Sequence, residues 1–163
     1  MIQALLTGTG FLGTRAPLHS DLSLILILLS AIMFTIGWRL AVRKKFKVHR
    51  WIQTGAAILN TLVVLIVMIA SFIIYILPGI PSKLLEGTYG VTTVHAFIGA
   101  LGLLLGVFVV LRANQVKFVP KRMRFKNYKL FMRTAYGLYI TATVLGIGVY
   151  LTWFVIVPNP PVF

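Results

Sequence analysis

Residues 54–77 read TGAAILNTLVVLIVMIASFIIYIL, a run without a single charge. The hydrocarbon core of a bilayer is about 30 Å thick and takes roughly 20 helical residues to cross, so this run is long enough. Apolar side chains follow one another with no alternation of polarity. That pattern disfavours a strand, while a helix pairs every backbone N–H and C=O within itself, as lipid demands. Working outward, LSLILILLSAIMFTIGW lies between Asp21 and Arg39, and VTTVHAFIGALGLLLGVFVVL lies between Glu86 and Arg112. No charge follows Arg133 in TAYGLYITATVLGIGVYLTWFVIVPNPPVF. The expected fold is all-α: an integral membrane bundle of four transmembrane helices, one domain over residues 1–163. The predicted spans are Leu22–Val42, Thr54–Leu77, Val91–Leu111 and Thr134–Val157.

Composition agrees. Hydrophobic residues make up 59% of the chain and charged ones 11%, where a soluble domain carries about a quarter charged residues. Arg39 falls near the end of the first span, where a long side chain reaches the headgroups. Pro78, Gly79 and Pro81 are expected to stop the second helix, leaving an external loop from Pro78 to Gly90. Pro158, Pro160 and Pro161 close the fourth.

The net charge of +14 does not point to nucleic acid, because of where the charge lies. Arg39, Arg43, Lys44, Lys45, Lys47 and Arg50 crowd the first loop and its edges. Arg112, Lys117, Lys121, Arg122, Arg124, Lys126, Lys129 and Arg133 crowd the third. On the other side, Arg15 and Lys83 are balanced by Asp21 and Glu86. An excess of Lys and Arg marks the cytoplasmic side, which gives an N-out, C-out topology with basic cytoplasmic loops. The first twenty residues lack the basic start of a signal peptide and are expected to lie as a short tail on the outer surface. The basic loops are also candidates for binding anionic lipid headgroups or a partner, with Arg43, Lys44, Lys45, Lys121, Arg122 and Arg124 at their centres.

Catalytic patterns are missing. There is no cysteine, which excludes disulfides, thiolate metal sites and a cysteine nucleophile. Asp21 and Glu86 are the only acids and both lie outside the predicted spans, so the carboxylate path of a proton pump is absent. No metalloprotease helix or Walker loop is present, and no catalytic or metal-binding residues are assigned. Histidine remains. His95 sits about one turn into the third span, His19 precedes the first, and His49 stands at the basic edge of the second. All three are candidate haem ligands, but His49 and His95 lie near opposite faces and cannot share one iron. His19 and His95 share a face and are candidates for joint haem ligation. The structural alternative is that His95 hydrogen-bonds a neighbouring helix and the other two are interfacial. Asn60 is a mid-membrane amide expected to tie helices together. Gly99, Gly102, Gly106, Gly146 and Gly148 allow close helix approach, and Trp38, Trp51, Trp153, Tyr89 and Tyr128 fit interfacial belts.

Several segments together resemble a family of small four-helix bacterial membrane proteins that includes CtaM, linked to maturation of haem–copper cytochrome c oxidase. These are FLGTRAPLHSDLSL, RKKFKVHRWIQTGA, GTYGVTTVHAFIGALGLLLG and LYITATVLGIGVYL, the last holding Gly146, Val149, Tyr150 and Leu151. The family pattern places a further histidine after the second helix and another in the last basic loop. Here IIYILPG and FKNYKLFM have none, Tyr128 stands where the loop histidine falls, and Gln53 replaces a methionine. The resemblance implies a protein of the bacterial inner membrane, working with other membrane subunits of a respiratory complex. Its role would be that of an assembly factor or accessory subunit rather than an enzyme. A haem- or quinone-binding electron carrier using His95 is the alternative.

Overall fold

In a computed structural model, residues 8–114 and 127–157 are described. Four helices long and apolar enough to cross a membrane dominate it: α1, Leu18–Val42; α2, Phe46–Lys83; α3, Gly87–Ala113; and α4, Tyr128–Ile156. Among the described residues there is no strand, only an isolated bridge between Thr9 and Pro17. The α1/α2 and α3/α4 hairpins form the most extensive contacts, and α2/α3 and α4/α1 close the ring.

The elements end where local chemistry requires. Pro17 precedes α1 in extended conformation, a position where its missing N–H costs nothing. Between α1 and α2 the chain reverses at Arg43–Lys45, with Lys44 at φ 59°. Arg43, Lys44 and Lys45 are all exposed. Lys121, Arg122 and Arg124 lie outside the described residues.

Pro78 and Pro81 do not stop α2. The helix tightens into a 3-10 turn at Leu77–Gly79 and resumes over Ile80–Lys83, each proline sitting at the start of its own short turn, where no donor is needed. The connection to α3 shrinks to Leu84–Glu86. Upstream, α2 widens into π-helical turns at Val64–Met68 and Phe72–Ile76, and α4 does so at Thr152–Ile156.

Burial is uneven along the bundle. Ala16, Ile76, Tyr89, Tyr150, Trp153 and Phe154 form one core cluster at the end away from the Arg43–Lys45 turn. Trp153 and Tyr89 are therefore core residues rather than belt residues; their rings meet edge to face at 5.2 Å. Trp38 and Trp51 stay exposed. Elsewhere the outward helix faces are apolar and uncovered, with Phe97, Leu104 and Ile66 among them. In a bundle solvated by lipid such faces are at no disadvantage.

Residues 8–17 of the expected tail are tied down by hydrogen bonds. They fold across the end of the bundle, with the Leu18 amide donating to Gly8 O (2.7 Å) and the Gly10 amide to Ala16 O (3.1 Å). Asp21, expected outside the first helix, lies within its first turns and is fully buried. Its Oδ2 accepts from the amides of Phe11 (2.6 Å) and Leu12 (2.7 Å), and its Oδ1 from the Tyr150 hydroxyl (2.6 Å). Since Tyr150 donates to the carboxylate, the Thr14 hydroxyl 2.6 Å away donates to Tyr150. The charge count along the sequence could not anticipate this, because the cap that buries the acid comes from residues preceding it.

Candidate functional site

Two cavities lie inside the bundle, one above the other. The first, about 420 Å³, occupies the capped half and is lined by all four helices. Its walls are mostly apolar, including Met68, Phe72 and Ile76 from the π-helical stretch of α2, and Leu103 and Ala100 from α3. Wide turns of this kind are frequent at functional sites.

His95 is held in this cavity by α4. Its Nδ1 lies 2.9 Å from Ala142 O. A carbonyl only accepts, so Nδ1 carries the proton, and Nε2 of the neutral ring is left as an acceptor or ligand. Fixing a histidine through its other nitrogen to a backbone carbonyl is how ligating imidazoles are oriented. Gly146, one turn beyond Ala142, makes room for the ring: a Cβ there would stand 2.9 Å from His95 Cε1. One turn before His95, Thr92 accepts from Trp153 Nε1 at 2.8 Å and fastens α3 to α4.

His19 lines the same cavity. It is buried, and its ring stacks on Tyr75 at 6.3 Å. The fold thus brings His19 and His95 to one cavity. Ser71 also lines it, its buried Oγ without a hydrogen-bond partner among the described residues. No cluster of three metal-ligating side chains occurs among the described residues. The imidazoles of His19 and His95 and the thioether of Met68 are side chains in the cavity lining able to ligate a haem iron.

The second cavity, about 380 Å³, lies in the basic half and contains His49, Arg50 and Arg112. His49 repeats the arrangement of His95: its Nδ1 donates to Gly37 O at 2.7 Å. Gln53, where the resembled family has methionine, donates to Phe34 O at 3.1 Å, and Gly37 allows its close approach. Trp51, beside His49 in sequence, is exposed under the Arg50 guanidinium, 5.6 Å from the ring centroid, and takes no part in the cavity.

Asn60, Leu103 and Tyr139 line both cavities. The Tyr139 hydroxyl donates to Ile27 O at 3.0 Å. Asn60 is buried, yet among the described residues its side-chain amide has no hydrogen-bond partner. It is not the helix tie expected of a membrane amide; it faces the space where the cavities meet. No carboxylate lines either cavity.

The glycines divide by role. Gly102 packs closely on the α4 backbone at Leu138 and Tyr139, while Gly106 and Gly148 face open space. Comparison of the chain with family models, with curated proteins and with solved structures finds no match.

Proposed function

We propose that the chain is a non-enzymatic protein of a bacterial inner membrane, N-out and C-out, serving a respiratory system of the haem–copper oxidase type as an assembly factor or accessory subunit. The sequence resemblance motivates the system. The observation that carries a binding role is His95 in the capped cavity, an imidazole whose Nδ1 is fixed on Ala142 O in a cavity that no carboxylate lines. Such a site suits holding a flat apolar group. The cavity volume falls within the roughly 300–1,000 Å³ usual for small-molecule sites. His95 and His19 would hold a haem, which when bound supplies one-electron chemistry. A quinone head would instead use His95, Ser71 and Asn60 as hydrogen-bond partners.

The fixed imidazole also favours a second reading, a haem- or quinone-binding electron carrier. Affinity purification from the native membrane, with mass spectrometry and an absorption spectrum, separates the two. Co-purifying oxidase subunits without stoichiometric pigment support the assembly or accessory role. A Soret band lost in His95→Ala, with no partner, supports the carrier. Neither a partner nor a bound cofactor in any preparation would sink both.

A further inference from the structure

The cavity in the basic half raises a problem of charge balance. Arg112 lines it, and its buried Nε has no hydrogen-bond partner among the described residues. A buried guanidinium nitrogen left unpaired costs free energy. The chain has only two acids. Asp21 is bound to Tyr150 and the cap amides, and Glu86 precedes α3 at the far end. Neither acid serves Arg112, which leaves it open to an oxyanion from outside the chain.

The cavity also specifies what that oxyanion is attached to. Gln53, Thr54, Tyr128 and Tyr136 have protein partners already. Arg112 is left to face an anionic ligand, with Arg50 beside it; His49 Nε2, with Nδ1 committed to Gly37 O, can only accept. Beyond them the wall turns apolar through Val110, Val107, Met132 and Ala135, and leads to Asn60 at the junction with the other cavity. A cationic mouth over a hydrocarbon-lined interior matches an amphiphile, and basic pockets between membrane helices are known to take anionic lipid heads.

We propose that this cavity binds one anionic lipid, its phosphate or carboxylate head on Arg112 beside Arg50 and its chain directed toward Asn60. The site is distinct from the exposed Arg43–Lys45 turn. It does not depend on what occupies the His95 cavity. Phospholipids and free fatty acids share this chemistry.

Native mass spectrometry of the full chain in mild detergent, titrated separately with dioleoylphosphatidylglycerol, dioleoylphosphatidylcholine and oleate, tests it. The expected result is one retained phosphatidylglycerol or oleate and no retained phosphatidylcholine, the anionic lipid that binds naming the source. Arg112→Gln should weaken retention about tenfold or more, as for loss of a charge-assisted bond. Gly106→Leu, which fills open space beside the cavity, should displace the lipid while preserving the fold, and so decides the matter if Arg112→Gln does not fold. Equal retention of phosphatidylcholine, no change in Gly106→Leu, or loss only in the Arg43→Gln/Lys44→Gln/Lys45→Gln triple variant overturns the proposal.

Discussion

Replacing Asp21 by alanine should release the cap. The carboxylate accepts three hydrogen bonds, from the Phe11 and Leu12 amides and from Tyr150. A hydrogen bond to a charged group contributes about 1.5–3 kcal/mol. Phe11 and Leu12 are half exposed, so their amides regain water, whereas buried Tyr150 keeps only Thr14. Discounting for that, Asp21→Ala should destabilise the protein by about 3 kcal/mol and Tyr150→Phe by about 1 kcal/mol. Asp21→Asn retains one oxygen for the two amides and should fall between. Unfolding in a mixed-micelle SDS titration, followed by far-ultraviolet circular dichroism, measures these differences. Trypsin supplies a local readout. Arg15 lies within the cap, its guanidinium donating to Val155 O at 2.9 Å, and cleavage after it should accelerate in Asp21→Ala. An SDS midpoint and a cleavage rate both matching wild type would refute the account of Asp21 as the cap's anchor.

Asn60→Leu should be neutral or stabilise the ligand-free protein by up to about 1 kcal/mol, since it removes a buried amide without a partner. A loss of 0.6–2 kcal/mol in the same SDS titration, the usual worth of an interhelical polar tie, would restore Asn60 to that role. Thr92→Val strips the acceptor from Trp153 Nε1 and should cost about 1–3 kcal/mol, with an altered Trp153 emission as a second signal. Gly146→Ala places a methyl against the His95 ring; it should weaken any haem or quinone bound there at least as much as it destabilises the fold, as ligand titration against the SDS midpoint will show. The absence of cysteine makes topology easy to test. A single cysteine at Leu85, which is fully exposed, should react with an impermeant maleimide in intact cells, and one at Lys44 should not; the reverse pattern inverts the orientation.

The four helices were legible because each contains an uncharged, apolar run of at least 17 residues, long enough to cross a bilayer, a criterion that needs no tertiary information. Their ends were less so. Proline reads as a stop, yet Pro78 and Pro81 each begin a short turn in which no N–H is missed. Asp21 looked external because a charge beside an apolar run is assigned to water by default. Only residues 8–17 folding back make its burial favourable. His95 and His19 were recognisable as candidates by residue type and depth, but their sharing a cavity depends on the packing of all four helices. The partner of His95, Ala142 O, is a backbone atom and leaves no trace in composition. Arg112 was counted as one more topology-setting charge, and its buried nitrogen appears only once α2, α3 and α4 are assembled.

The uneven distribution of tight packing has a mechanical consequence. One extremity is clasped by aromatic rings, a folded-over leader and a carboxylate knot; the other is joined by small side chains such as Ala56 and Ala57 and by a few polar bonds. Among the described residues the packing is closer at the aromatic end, so helices that part would do so first at the arginine-rich rim. A greasy guest entering sideways from the membrane would pass through that looser rim.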